Sequence, residues 1–215
     1  MYSLGTTNLS TGVMIGIPFF INIKEGQSID PENFRLLGQY KTKRTSSSPV
    51  MKKLLESLSL SDNAKQYALA HQINIAGTPQ FFIKTINLAL CTGSCFALSR
   101  AINSKFFKQK SILLRFGTFS LCVPLTVIVG SFIDQLLEEI YDYKSMKKTI
   151  QIGENYRRGA IEFYEKLIQR NSSIYELLGD KGDSFYTEDG KVKKVFGFRN
   201  QSFQDHLLAA NQFDV

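Results

Sequence analysis

The sequence predicts a mainly α-helical protein with a small β element, in which a soluble helical domain is split by a two-helix transmembrane hairpin. Three observations carry this prediction. Two apolar runs, Phe81 to Leu98 and Phe116 to Ile133, flank a connection that carries Arg100, Lys105, Lys108, Lys110 and Arg115 and no acidic residue. On either side of the runs, apolar residues recur at spacings of three and four, the signature of amphipathic helices. Near the end of the chain, Asp189-Gly190 between two short β-prone stretches marks a hairpin turn. The expected division is 1–80 as the first half of the soluble domain, 81–133 as the hairpin with a basic loop at 99–111, 134–195 as the second half, and 196–215 as a flexible tail.

The hairpin follows from the chemistry of lipid. Hydrocarbon offers no hydrogen-bond partners, so a spanning segment is a helix of about 20 mostly apolar residues, roughly 30 Å long. Phe116 to Ile133 is free of charge, and Ser111 to Leu114 could lengthen it. The first run is weaker: Lys84 lies near its start, from where it could snorkel to the headgroups, and Asn87, Thr92 and Ser94 interrupt it. Ala89, Gly93 and Ala97 recur every fourth residue, a small-residue face on which another helix backbone could approach closely. Gly117 and Gly130 could serve the same purpose on the second run, and Pro124 should kink it. The alternative is that both runs are core helices of a soluble protein, with which the near-zero mean hydropathy is compatible.

In chain order, Thr11 to Ile23 reads as extended, with Pro18 excluding a helix. Asp30 to Pro49 is polar, and its basic cluster Lys41, Lys43 and Arg44 followed by Thr45 to Ser48 reads as a solvated linker. Met51 to Leu58 starts a helical pattern. Ser61 followed by Asp62 signals a helix start, after which Ala64, Tyr67, Ala68, His71 and Ile75 share one face. Beyond the hairpin, Asp134, Glu138, Glu139 and Asp142 precede Lys144, Lys147 and Lys148, so the second helix should leave the membrane as an amphipathic arm. Glu154 to Gln169 is a helix with the inner stripe Ala160, Ile161, Tyr164, Leu167 and Ile168. Ser172 or Ser173 could cap a further short helix that stops at Gly179, and a last short helix could form around His206 to Ala210.

Several functions are disfavoured. The 215 residues carry a formal net charge of +7, but the basic residues are spread along the chain without interleaved aromatics, which argues against nucleic-acid binding. Cys91, Cys95 and Cys122 all fall in the apolar runs, where they behave as small hydrophobes rather than disulfide partners. Cys91 and Cys95, four apart, are also a conceivable soft-metal pair. No Gly-rich phosphate loop and no G-x-S-x-G elbow is present. Glu162 and Glu165 read as a solvated helix face, not a catalytic pair. The two histidines, His71 and His206, exclude a site built on several imidazoles. In His71-Gln72-Ile73-Asn74-Ile75 the frame of an H-E-x-x-H zinc helix is visible, with Gln72 in place of the base and Ile75 in place of the second ligand. No catalytic residue, metal ligand or cofactor is therefore assigned. The rival reading is an enzyme with a rearranged zinc site that uses His71 with Glu138 or Asp142.

The order of elements is weakly similar to membrane zinc metallopeptidases of the HtpX type, which would make the chain a degenerate, pseudopeptidase scaffold. A closer resemblance lies in motifs. Gly16-Ile17-Pro18, the stretch Leu58 to Ala70, the block Ile161-Glu162-Phe163-Tyr164-Glu165-Lys166-Leu167, Leu177 to Gly179, and Tyr186-Thr187 ahead of Gly190 resemble the transmembrane protein 177 family over roughly residues 10 to 195. Family members carry a further N-terminal hydrophobic segment before the Gly-Ile-Pro motif. Met1 to Ser10 is polar and shows no cleavable signal, so targeting is expected from internal segments or from residues that precede this sequence. The resemblance implies a non-enzymatic, multi-pass protein of the mitochondrial inner membrane without cofactors. Its implied partners are newly made cytochrome c oxidase subunit 2 and a Cox20-type chaperone, besides the lipid bilayer. The Ala89, Gly93 and Ala97 face would meet partner helices, whereas Phe163 and Tyr164 would pack within the soluble domain. The basic loop would face the matrix and both soluble flanks the intermembrane space.

Overall fold

The computed structural model describes residues 2–7, 12–18, 49–107, 112–193 and 203–213. Strand β1 (Tyr2–Gly5) pairs antiparallel with β2 (Val13–Gly16), Tyr2 opposite Gly16 and Gly5 opposite Val13. The stretch expected to be extended over 11–23 is thus a strand at 13–16, while 19–23 lies outside the described residues, as does the linker at 30–48 with Lys41, Lys43 and Arg44. Thr6 fastens the small sheet to the helices. It is buried and donates from Oγ1 to the Ala76 carbonyl at 2.8 Å.

Helix α1 (Pro49–Leu58) opens on Pro49 and turns Val50, Met51 and Leu54 toward Ile174 and Leu177. Helix α2 (Asp62–Ala76) begins where the sequence indicates, with the Ser61 hydroxyl accepting from the Ala64 amide at 3.2 Å. Its Ala64, Tyr67, Ala68 and His71 are buried. Helices α3 (Gln80–Phe106) and α4 (Ile112–Ile150) pack against each other as the hairpin. The 27 residues of α3 rise about 40 Å, more than the hydrocarbon thickness of about 30 Å. Of the most apolar 18-residue window of each helix only 11% is buried inside the protein, and Leu88, Leu90, Phe96, Leu121 and Leu125 are all exposed. That apolar surface is not a soluble core; both helices are long and apolar enough to cross a membrane.

Helix α5 (Glu154–Leu178) ends at Gly179, whose φ of 57° is the left-handed conformation of a helix stop. A 3-10 turn (Gly179–Ser184) leads to a small hairpin in which Tyr186 bridges Val192 around Gly190, φ 75°. A Cβ on Gly190 would lie 2.5 Å from the Ile168 carbonyl oxygen, so Asp189-Gly190 is fixed both by its turn and by the helix beneath it. Helix α6 (Phe203–Gln212) closes the chain. The core lies where α2, α4, α5 and α6 meet, around Tyr67, Met146, Ile150, Ala160, Tyr164 and Ala210.

Three expectations need correction. The basic loop at 99–111 is shorter, because α3 continues to Phe106, carrying Arg100 and Lys105 on its last turns; Lys108 and Lys110 lie outside the described residues. Ser172 and Ser173 cap nothing: α5 runs through them, Ser173 is buried, and the Ser172 hydroxyl donates to the Glu188 carbonyl at 2.8 Å. The packing of Ile174 and Leu177 on α1 outweighs the local capping preference of serine. The tail at 196–215, expected to be flexible apart from a short helix around His206 to Ala210, holds that helix as α6, longer than expected, and it buries His206 and Ala210 against the core.

Candidate functional site

The contact between α3 and α4 is a seam of small and polar residues. On α3 the inward row is Asn87, Cys91, Cys95, Ser99 and Asn103; on α4 it is Thr118, Cys122, Thr126, Gly130 and Asp134, each at intervals of four. The Asn87 amide donates to the Gly130 carbonyl at 3.0 Å and to Asp134 Oδ1 at 2.9 Å. At the far end Thr118 Oγ1 donates to Asn103 Oδ1 at 2.7 Å. In a bilayer these polar side chains satisfy one another, which fixes the register of the two helices. Gly130 lets the helices close: a Cβ there would stand 2.6 Å from Cys91 Sγ. The three cysteines are unbridged.

Ala89, Gly93 and Ala97 lie two residues out of phase with the inward row, about 200° around the helix. All three are exposed, and nothing stands within 4 Å of a Cβ added at Gly93. The small-residue face therefore points away from α4. Gly117 is open in the same way.

Where α4 leaves the hairpin, its polar side chains fall to different partners. Lys84, expected to reach the headgroups, forms an ion pair with Glu138. One turn further, Asp142 meets both histidines of the chain. Its Oδ2 lies 3.0 Å from His206 Nε2 on α6, and its Oδ1 lies 3.5 Å from His71 Nε2 on α2, which is also 3.4 Å from the Asp142 carbonyl oxygen. Two stacked pairs wall this junction: Tyr67 on His71, ring centroids 5.6 Å apart, and Tyr164 on His206, 5.1 Å apart. The two phenols share a 3.0 Å hydrogen bond. Burial pushes both phenols up, so they stay protonated. Burial also pushes the His71 imidazole down against the attraction of Asp142, which keeps it neutral at pH 7.

The structure thus brings His71 to Asp142 but not to Glu138. Each imidazole addresses a different oxygen of one carboxylate, and no group of three or more His, Cys, Asp or Glu side chains among the described residues is arranged to hold a metal ion. Gln72 is buried and neutral where a zinc peptidase has its base. His206 is the member that the sequence reading missed.

The Ile161 to Leu167 block has a structural job at every turn. Glu162, expected on a solvated face, accepts from the Ser61 amide at 2.9 Å and from the Ser61 hydroxyl, and so holds the start of α2. Lys166 Nζ donates to the Glu56 carbonyl of α1 at 2.8 Å. Tyr164 is buried in the core, Phe163 and Leu167 pack at its edge, and Glu165 is exposed. Gly16 ends β2, Ile17 is exposed and Pro18 half-buried.

The chain is similar to curated proteins named transmembrane protein 177. It is 27% identical over 191 residues to that of Xenopus laevis, covering 88% of this chain and 61% of the relative. It is 26% identical to that of Danio rerio over 87% of this chain and 61% of the relative. With that of Rattus norvegicus it shares 25% over 92% and 62%. The chain thus spans about three fifths of the length of these relatives. No family model and no solved structure matches.

Proposed function

Since the chain belongs to the transmembrane protein 177 family and is a membrane protein, we propose that it works as a non-enzymatic assembly factor of the mitochondrial inner membrane. In this reading it stabilises newly made cytochrome c oxidase subunit 2 together with a Cox20-type chaperone. The observation that carries the proposal is the continuity of α4, which passes from the hairpin seam to the junction of Asp142 with the two histidines without a break. A partner helix seated on the hairpin is thereby coupled to the soluble part through one continuous helix. The outward face of Ala89, Gly93 and Ala97 provides the close approach that such a helix needs. The paired Asp142 oxygens and the neutral Gln72 support a holding role over peptide hydrolysis.

The basic turn of the hairpin would lie in the matrix and the soluble flanks in the intermembrane space. A C-terminal tag should then be digested by protease in mitoplasts; its protection would reverse the orientation. Tagged protein extracted from mitochondrial membranes should recover oxidase subunit 2. No recovery, with normal oxidase levels after deletion, would overturn the proposal. Metal analysis separates the rival: stoichiometric zinc that disappears in His71→Ala would make the protein a metallopeptidase-like enzyme.

A further inference from the structure

We propose that the connecting end of the hairpin holds an anionic phospholipid. A groove of about 660 Å³ lies there between α3 and α4, within the range of roughly 300–1,000 Å³ typical of small-ligand sites. Phe96, Ile112, Phe116 and Phe119 form its apolar wall, and Arg100 and Ser104 lie on its polar side. The two sides suit the two parts of a lipid. Phe96, Arg100 and Ser104 succeed each other at intervals of four on α3, so an acyl chain laid along Phe96 brings its headgroup to the guanidinium one turn on. The groove sits where α3 nears its end, at the depth at which a spanning helix meets headgroups.

Charge selects an anion. The sequence has no Asp or Glu from Asn63 to Ile133, and among the described residues Arg100 makes no ion pair. Lys105 adds a second cation on the following turn, its Nζ 5.5 Å from the Phe106 ring centroid. A guanidinium at the membrane surface with no ion pair among the described residues gains most from a phosphodiester, to which it can donate twice, while the Ser104 hydroxyl, which donates to the Ala101 carbonyl at 2.9 Å, adds polarity beside it. A zwitterionic lipid would satisfy the apolar wall equally well but bring its own cation against Arg100.

Native mass spectrometry of the whole protein in detergent tests this, with dioleoyl phosphatidylglycerol and dioleoyl phosphatidylcholine titrated in parallel. The phosphatidylglycerol adduct should be retained about fivefold better. Arg100→Gln should reduce it to the phosphatidylcholine level, and Ser104→Glu, at an exposed position where folding is undisturbed, should do the same by supplying Arg100 with a carboxylate. Phe119→Ala should weaken both adducts, and Lys148→Gln, at the soluble end of α4, neither. Equal retention of the two lipids, or a preference that survives both Arg100→Gln and Ser104→Glu, would overturn the proposal. So would displacement by inorganic phosphate, which would assign the site to a free anion, or a lipid-free dimer, which would assign the groove to a second copy of the chain.

Discussion

Asp142 Oδ2 stands 3.0 Å from His206 Nε2, and this contact joins the helix that leaves the membrane to the last helix of the chain. His71 takes the other oxygen from α2. One carboxylate thus ties three helices at a single point, and its removal should be felt in all of them. Asp142→Asn keeps the size but weakens the acceptor toward both imidazoles. Asp142 is partly exposed, so solvent screening holds the loss of these two electrostatic contacts to about 1 kcal/mol. Thermal unfolding in detergent should show a fall of several degrees in Tm, with α6 more readily cleaved by protease than in the unaltered protein.

The pH dependence has a definite sign. His71 is held below the ordinary imidazole value of 6.5 by burial, so below that pH the unfolded chain binds a proton that the folded chain refuses. Stability from this group is complete above pH 6.5 and declines as the pH falls from there toward the folded value. The slope approaches about 1.4 kcal/mol per pH unit for one proton. Unfolding midpoints between pH 7 and 5 should drop in the unaltered protein and drop less in His71→Gln. Equal slopes in both would remove His71 as the cause.

The crossing of α2 over α5 depends on Gly159. A Cβ there would lie 2.3 Å from the Asn63 carbonyl oxygen and 3.1 Å from Tyr67 Cβ, with backbone on one side and a buried ring on the other. Gly159→Ala should therefore destabilise by about 1–3 kcal/mol despite the better helix propensity of alanine. Denaturant midpoints check the size, and Glu162→Gln combined with it reveals whether the displaced α2 also loses its hold on Ser61.

Gly93 separates folding from partnership. Nothing lies within 4 Å of an added Cβ, so Gly93→Leu should leave the Tm unchanged. If the outward face receives a partner helix, the same change should cut recovery of oxidase subunit 2 severalfold, because one leucine keeps two backbones apart. Unchanged recovery would move the partner surface elsewhere.

The hairpin was legible because lipid imposes a length and a composition that few other environments require. Its seam was less so. The Ala89, Gly93 and Ala97 set and the Asn87 to Asn103 set are equally periodic, and size alone favours the first. Polarity decides for the second, since the Asn87 amide, buried between the helices, finds its acceptors on Gly130 and Asp134 of α4, and Asn103 accepts from Thr118. The α2 face was read correctly through Ser61 and the spacing from Ala64 to His71, both local signals. His206 was not, because it lies 135 positions from His71 and comes to Asp142 only through packing of α6 on α5. A signal did exist: His206 and Ala210 are four apart and both face inward. Glu162 was read as solvated for a similar reason, since its partner Ser61 belongs to a distant helix start.

Helix α4 also sets a distance. The 17 residues from Asp134 to Ile150 rise about 25 Å, so the centre of the core around Met146 and Ile150 stands off from the level of the Asn87–Asp134 contact. The height is fixed by residue count alone. The soluble part joins this helix from Asp142 onward, about 12 Å beyond Asp134, so its lower edge stays near the headgroups while its centre stands a further turn or two above them.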